Sequence, residues 1–410
     1  MRAVAGLAAA VVLVGGAGCG SSAGGPPAAP TAAAPAAAPS AEPPAARSTA
    51  AARGVPFGSH RVAYAKGTLR PTGDRRTLDE RVRAFYEEWK AAFVTAKCGS
   101  LQVISPDADH PYVGEAQGYG LVIAATMGDR PLFDGVLRYV EAHPSVNDPD
   151  LLAAEQDRTC TSVNGSDSAT DGDLDVAYGL LMADRQWGGD YRAKAVKRIA
   201  AIKASEVNPD TRLMKLGDWA TSDDPLSKVS RTSDWMLDHF RAFEKVDPEW
   251  RAIREAHQKA IAAFPGLLPD FVKDGRAVKG EVLESEHDGD YSWNALRDPW
   301  RIGADAVTSG DPASTEAARR LSRWVSGRTG GDPEKIAAGY RLDGTPIEEG
   351  PEPAFVAPFA VAALTDPSAQ PWLDALWRSM TAAKPGREDY FAATVRLQSM
   401  ITVTGNHWVP

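Results

Sequence analysis

Acidic residues stand at the start of two helical patterns in this chain. Asp171, Asp173 and Asp175 alternate with small residues just before an amphipathic run with apolar residues at helical spacing. Glu115 opens a second run that is glycine-rich and then apolar. Carboxylates are stabilised at helix starts, where backbone N–H groups are unpaired and the helix dipole is positive. The pattern therefore allows a purely structural interpretation as well as one in which carboxyl groups transfer protons.

Together the two stretches resemble glycoside hydrolase family 8. The first, Val113–Asp129 (VGEAQGYGLVIAATMGD), contains an E-G/A-Q-G-Y-G run. The second, Ser168–Trp187 (SATDGDLDVAYGLLMADRQW), contains an A-S/T-D-G/A-D run that ends in Trp. Both occur in the family's order and at a compatible separation, and Val176 is a conservative replacement for the usual Ile or Met. The resemblance implies hydrolysis of a glycosidic bond.

Further segments extend the resemblance over almost all of the chain from residue 55 onwards. Three of them are similar to the family branch that contains chitosanases and mixed-linkage glucanases: Pro56–Pro71 (PFGSHRVAYAKGTLRP), Tyr86–Lys90 (YEEWK) and Ser230–Phe243 (SRTSDWMLDHFRAF). The fourth, Thr404–Pro410 (TGNHWVP), is similar to the family's C-terminal end.

The resemblance assigns roles to two of the carboxylates. Family 8 enzymes invert, so one carboxylic acid protonates the leaving oxygen and one carboxylate activates water on the opposite face of the sugar. Glu115 matches the general acid, and an apolar helix beside it would raise its pKa. Asp171 matches the aspartate that positions the sugar at the cleavage point, whereas Asp173 and Asp175 are assigned to helix-start and network roles.

The general base is harder to identify. The endoglucanase branch uses the Asp of a Y-D-A-x-R segment, and the corresponding YSWNALRDPWR has Asn294 at that position. An amide cannot deprotonate water. The same replacement accompanies the chitosanase-type branch, which takes its base from a Glu in a loop just upstream. Glu284 and Glu286 are the candidates, and Glu284 fits the branch pattern better; Asp298 and Asp305 are expected to cap or lie inside the next helix.

Aromatic and polar residues in these segments are candidates for binding sugar. Flat rings pack on the C–H faces of sugar rings, and polar neighbours bind the hydroxyl groups. For any one tryptophan a place in the core is an equally good interpretation. The substrate-binding candidates are Tyr119, Trp235, Trp293, Asn294 and Arg297, with Trp235 and Trp293 preferred for the cleft.

The elements that must position these residues are helical. Thr77 is expected to open the first helix with a capping box to Glu80, followed by an apolar stripe at helical spacing. Eleven further helical runs follow, near residues 115–127, 131–143, 173–186, 191–205, 233–244, 249–263, 298–308, 314–325, 354–365, 370–380 and 388–403. Twelve helices in pairs suit the all-α (α/α)6 barrel that the resemblance implies. Residues 118–127 are expected in an inner helix, and Arg319, Arg320 and Arg323 mark an outer one.

The N-terminal part of the chain has the composition of an export signal and a linker. Arg2 precedes an apolar stretch, and Gly16–Cys19 resembles a loose bacterial lipobox in which Cys19 would be lipidated; ordinary secretion is the alternative. Residues 20–54 are rich in Ala, Pro, Ser and Gly and cannot bury enough apolar surface to fold. We therefore expect a signal peptide at 1–19, a disordered linker at 20–54, and a catalytic domain at 55–410 in an extracellular or membrane-anchored protein.

Charge and cysteine content limit the possible partners. The first 55 residues hold three basic residues and one acidic residue, so the remainder carries 42 basic and 53 acidic residues, a net charge of −11. Such a surface disfavours nucleic acid and would attract a polycation.

Cys98 and Cys160 precede the two motifs, and a disulfide between them would join two active-site loops; two free buried thiols are the alternative. No His, Cys or Asp spacing indicates a metal, no cofactor is expected, and nothing indicates a dedicated interface, so a monomer is expected.

The sequence therefore predicts an exported, inverting endo-β-1,4-glycanase that most closely fits a chitosanase. A β-1,3-1,4-glucanase or a cellulase is the alternative within the same branch, and the acidic charge tilts the choice towards chitosan. A carbohydrate-binding lipoprotein that has lost catalysis is an alternative of another class. Asn294 would favour it if neither Glu284 nor Glu286 reached the water.

Overall fold

A computed structural model describes residues 54–410, apart from 107, 163–164 and 383–388. The expected signal peptide, its Cys19 and the linker up to residue 53 lie outside the described residues. Val55 and Phe57 are already buried in the core. No helix in the described part is long and apolar enough to cross a membrane.

Twelve α-helices make up most of the described part of the chain. Each corresponds to one of the predicted helical runs, with ends that differ by a few residues. They are α1 (Arg75–Phe93), α2 (Gly114–Met127), α3 (Arg130–Ala142), α4 (Thr170–Trp187), α5 (Tyr191–Ser205), α6 (Leu237–Glu244), α7 (Trp250–Ala262), α8 (Asp298–Ser309), α9 (Pro312–Thr329), α10 (Pro353–Ala363), α11 (Gln370–Ala382) and α12 (Tyr390–Val403).

The helices form the two layers of an (α/α)6 barrel. The inner layer contains the even-numbered helices, of which α2, α4, α10 and α12 are buried along nearly their whole length. The odd-numbered helices lie outside and bury one face. In α9, Leu321 and Val325 face the core while Arg323 is exposed, as expected for an outer helix.

The start of α1 differs from the sequence prediction. The helix begins at Arg75, and Asp74 is its N-cap, because the Asp74 carboxylate accepts the backbone N–H of Thr77 at 3.1 Å. Thr77 lies inside the first turn, and Glu80 pairs with Arg76 instead of closing a capping box. Either Thr77 or Asp74 has a suitable side chain for the cap, and the backbone geometry selected the aspartate.

Seven short strands lie in the loops at one end of the barrel. In the described residues they form β1 (Val94–Thr95) with β2 (Gln102–Val103), β3 (Tyr112–Val113) with β4 (Glu155–Gln156), and a three-stranded sheet of β5 (Val229–Arg231), β6 (Phe271–Lys273) and β7 (Arg276–Ala277), all antiparallel. Strand β3 runs directly into α2. These pairings fix the entry of the chain into the inner helices.

Glycines bring α2 and α4 into backbone contact. A Cβ added at Gly172 would lie 2.7 Å from the carbonyl carbon of Gly114, and one at Gly118 would lie 2.9 Å from the carbonyl oxygen of Gly172. Real Cβ atoms do not approach other atoms this closely. The glycines of both sequence motifs therefore let two inner helices pack at a distance that no larger residue would allow.

A buried chain of charged groups connects three of the inner helices. Arg301 and His239 both donate to the Asp175 carboxylate, and His239 and His407 both contact Asp238. Burial alone would raise the pKa of Asp175, but the Arg301 guanidinium and His239 hold it below its usual value. This chain connects α4, α6, α8 and the C-terminal segment, which gives His407 a structural role.

We predict that Gly172→Ala lowers stability by about 1–3 kcal/mol, because the added methyl group must separate α2 from α4. Gly327→Ala in α9 is the matched control, since a Cβ there meets no atom within 4 Å. The control should be neutral or more stable by up to about 1 kcal/mol. Thermal unfolding of both variants checks this, and equal melting temperatures would contradict the close contact.

Candidate active site

Polar residues converge where the inner helices begin. Glu115 is the second residue of α2, Asp171 is the second residue of α4, and Tyr390 is the first residue of α12. Arg297 immediately precedes α8. Neither α2 nor α4 has a side-chain N-cap. The first N–H groups of a helix point out of its N-terminus, and here they point to the end of the barrel where the carboxylates lie.

Arg297 lies at the centre of this group. Its Nη1 donates to Glu115 Oε2 at 2.7 Å, to the Tyr119 hydroxyl at 3.1 Å and to Asp171 Oδ2 at 3.3 Å. The residue is only 2 % exposed. A buried guanidinium of this kind must be paired with anions, and here it holds both motif carboxylates together.

Glu115 has the environment of a group that keeps a proton. Its Oε1 accepts the Tyr390 hydroxyl at 2.8 Å, and its side chain retains 18 % exposure. Burial raises the pKa of Glu115, and the nearby Asp171 charge raises it further, against the opposing effect of Arg297 and Tyr390. The net shift is upwards, which suits a general acid.

Asp171 is held beside it by two guanidinium groups. Besides Arg297, Arg231 Nη1 lies 3.8 Å from Asp171 Oδ2. The other oxygen, Oδ1, accepts the backbone N–H of Gly172 at 2.9 Å. The carboxylate is therefore fixed at the start of α4 and close to the Glu115–Arg297 pair.

Glu284 joins the same cluster from a loop. Its Oε1 accepts Arg231 Nη2 at 3.1 Å, and its Oε2 accepts the Asn294 amide at 2.8 Å. The side-chain oxygen of Asn294, Oδ1, accepts a hydrogen bond from Arg297 Nη2 at 2.9 Å. Asn294 and Arg297 thus link Glu284 to Glu115, and the Glu284 side chain remains 32 % exposed to solvent.

Glu286 is placed differently. It is exposed, and it takes no part in the hydrogen bonds and ion pairs that connect Glu284, Asn294 and Arg231. Asp298 begins α8 as its first residue and accepts the Thr232 hydroxyl, whereas Asp305 lies inside that helix and pairs with Arg241. The structure therefore brings only one of the two base candidates into the cluster.

The aromatic candidates divide into exposed and buried rings. Trp293 is 36 % exposed and packs edge-on against Phe355, with ring centres 5.1 Å apart. The expectation of a cleft position for Trp235 is wrong: it is 1 % exposed and donates to Ser230 Oγ in the core. Tyr119 is also fully buried, so it supports Arg297 and offers no surface to a sugar.

Asp173 and Asp175 make their hydrogen bonds to residues outside this cluster. Asp173 accepts the Leu152 backbone N–H at 3.0 Å and pairs with Arg198. Burial raises the pKa of Asp173 to about 7, in spite of the Arg198 charge. Their network roles agree with the sequence prediction.

A disulfide connects the loops that precede the two motifs. The structure pairs Cys98 with Cys160, whose Cα atoms are 5.9 Å apart. His143 Nε2 also contacts the Cys160 carbonyl, at 3.1 Å. The part of the chain that the structure describes contains no His, Cys, Asp or Glu group suited to a metal.

Sequence reasoning missed two residues of the cluster. Arg231 lies in the SRTSDW segment, but its role depends on contacts with Asp171 and Glu284, which are distant in sequence. Tyr390 had no local signal beyond its position at a helix start. Their contacts with the carboxylates depend on the folded barrel and leave no pattern in the sequence.

Comparisons with known proteins show which proteins this chain is similar to. The family model described as Glycosyl hydrolases family 8 matches residues 77–405. A beta-glucanase of Niallia circulans is 34% identical over 381 residues, covering 87% of this chain and 92% of that protein. An endoglucanase of Bacillus sp. strain KSM-330 is 32% identical over 396 residues, with 88% and 84% covered. The solved apo structure of a beta-1,3-1,4-glucanase from Paenibacillus sp. X4 has a TM-score of 0.83 at 34% identity and covers 87% of this chain and 100% of that chain.

Proposed function

The chain belongs to the glycosyl hydrolases of family 8 and is an endo-glycanase, and we propose that it cleaves β-1,3-1,4-glucan with inversion at the anomeric carbon. The observation that carries the proposed mechanism is the link from Glu115 to Glu284 through Arg297 and Asn294. It places a carboxyl group with a raised pKa and a solvent-accessible carboxylate in one connected site.

Glu115 is the general acid in this proposal. Protonation of the leaving oxygen requires a carboxyl group that still carries its proton at the working pH. Burial and the Asp171 charge supply this property by raising the pKa of Glu115. The Tyr390 hydroxyl and Arg297 hold the two carboxyl oxygens, and so they fix the direction in which the proton is delivered.

Glu284 is the general base. Arg231 and Asn294 each occupy one lone pair of its carboxylate, which leaves other lone pairs free to accept a proton from water. Asn294 cannot act as a base, but its amide orients the carboxylate that does. These contacts favour Glu284 over the exposed Glu286 and argue against a binding protein that has lost catalysis.

Asp171 positions the sugar at the cleavage point. Its carboxylate lies between Arg297 and Arg231, the two guanidinium groups that also hold the acid and the base. Trp293 offers its exposed ring to a sugar face next to Asn294. No step of this mechanism requires a metal or an organic cofactor.

The substrate proposal follows the relatives. The similar proteins are named beta-glucanase and endoglucanase, and the similar solved structure is that of a beta-1,3-1,4-glucanase. Chitosan is the second candidate, because the chain beyond residue 55 carries a net charge of −11 and would attract a cationic polymer. We also propose that the enzyme acts outside the cell as a monomer, secreted or anchored through Cys19.

We predict that the purified enzyme releases reducing ends from β-1,3-1,4-glucan faster than from chitosan or carboxymethylcellulose. The assay compares the three polymers at equal mass concentration. Faster release from chitosan would make the acidic charge the feature that selects the substrate and would overturn the glucan proposal. Absence of release from all three would contradict the enzymatic proposal itself.

We predict that Glu115→Gln and Glu284→Gln each lower kcat on glucan by at least about 100-fold, with retention of the fold. A β-glucosyl oligosaccharide with a fluoride leaving group separates the two roles, because fluoride departs without protonation. Glu115→Gln should retain turnover of the fluoride substrate, whereas Glu284→Gln should lose it. The reverse pattern would exchange the two roles.

We predict that activity falls as the pH rises through the raised pKa of Glu115, because its protonated form is the active one. The Tyr390 hydrogen bond lowers this pKa, so Tyr390→Phe should move the alkaline limb of kcat/KM to higher pH. Tyr191→Phe is the control, since that hydroxyl binds Asp134 on an outer helix. A shift to lower pH in Tyr390→Phe would refute the assignment of this limb to Glu115.

A further inference from the structure

The loop that carries Glu284 is organised around a second carboxylate. Asp288 is completely buried, and its two oxygens accept four consecutive backbone N–H groups of the same loop. The donors are Val282 at 2.8 Å, Leu283 at 2.7 Å and Glu284 at 3.1 Å, all to Oδ2, and Ser285 at 2.8 Å to Oδ1. Glu284 therefore has its own N–H bound by Asp288.

Four donors on one buried carboxylate fix the path of the backbone. Hydrogen bonds to an ionised group are stronger than those between neutral groups, and a buried carboxylate without donors would be costly. Residues 278–290 lie in no helix or strand that could supply hydrogen bonds to the N–H groups of residues 282–285. The Asp288 carboxylate substitutes for those hydrogen bonds at the position where Glu284 leaves the backbone.

The Glu284 side chain is then held at its other end. Arg231 and Asn294 bind its two carboxylate oxygens, at 3.1 and 2.8 Å. These contacts are possible only if the backbone at residue 284 stays within hydrogen-bond reach of both partners. Glu284 is thus held at both ends. Asp288 binds its backbone N–H, and Arg231 and Asn294 bind its carboxylate oxygens.

We propose that Asp288 is a positioning residue for the general base, which acts by fixing the backbone from which the Glu284 carboxylate reaches the water. This inference rests on the proposed function, in which Glu284 is the base. Asp288 acts through Glu284 and does not itself contact the reacting atoms. A base displaced by about 1 Å can lose about 100-fold in rate.

The attachment of the loop to the barrel does not depend on the Asp288 side chain. The Asp288 carbonyl accepts the Phe271 N–H at 2.9 Å, and the Asp290 carbonyl accepts the Asp270 N–H at 2.8 Å. Val282 and Leu283 also pack against a small apolar cluster that contains Phe271. A substitution that changes only the Asp288 side chain should therefore leave the fold intact.

The test compares Asp288→Asn with Asp290→Asn in the full chain. An asparagine has a single acceptor oxygen and no charge, and its NH2 group would face an N–H donor, so the loop loses one acceptor and the charge that strengthens its other hydrogen bonds. Asp288→Asn should lower kcat by about 100-fold, with KM changed by less than about 2-fold. Asp290, whose side chain contacts His287 at 3.1 Å, is in the same loop, and its variant should keep the wild-type kcat. Wild-type kcat in Asp288→Asn would overturn the proposal.

A double variant distinguishes this inference from the assignment of the base. In a Glu284→Gln background, Asp288→Asn should have no further effect on kcat, because it acts only through Glu284. A further loss of the same size would show an independent role and would overturn the positioning proposal. Full activity of Glu284→Gln alone would instead refute the proposed base, whatever Asp288→Asn does.

Hydrogen exchange in the unmodified protein tests the geometry without any substitution. The amides of residues 282–285 should exchange slowly although they lie in a loop, because each is bound to Asp288. The amides of Asp274 and Gly275, in the turn between β6 and β7, are the comparison, and they should exchange faster than those of residues 282–285. Exchange of residues 282–285 at the rate of unprotected amides would overturn the proposal.

Discussion

The site depends on one buried cation, the guanidinium of Arg297. A charge that is 2 % exposed is stable only when anions and hydrogen-bond acceptors surround it, and Glu115, Asp171 and Asn294 supply them. The same contacts bring the proposed acid Glu115, the proposed sugar-positioning carboxylate Asp171 and Asn294, which binds the proposed base, into one place. Because burial raises the pKa of Glu115 more than Arg297 lowers it, the pKa of Glu115 stays above its usual value although the two groups are paired.

The barrel delivers these residues to Arg297 through the starts of its inner helices. Gly118 and Gly172 allow α2 and α4 to touch through their backbones, and that contact places Glu115 beside Asp171. A larger residue at Gly172 would move one carboxylate relative to the other. The glycines of the two motifs are therefore as much a part of the site as the acids, although they contact no substrate.

The sequence predicted the helices because each has a continuous apolar face, as in Leu321 and Val325 of α9. It also pointed to Glu115, Asp171 and Glu284, through motifs that lie within single segments. It could not place Trp235, since an aromatic ring in a motif fits the core as well as a cleft, and burial depends on the packed barrel. The contacts of Arg231 and Tyr390 join segments far apart in the chain, which no local pattern reports.

The central claim is that Glu115 and Glu284 act on opposite faces of the sugar, with water as the only nucleophile. The most direct test is ¹H NMR of the first product formed from β-1,3-1,4-glucan, recorded before mutarotation equilibrates the anomers. Attack of water from the face opposite the leaving group gives the α-anomer as the initial product. Initial formation of the β-anomer would require a covalent intermediate and would contradict the roles assigned to both carboxylates.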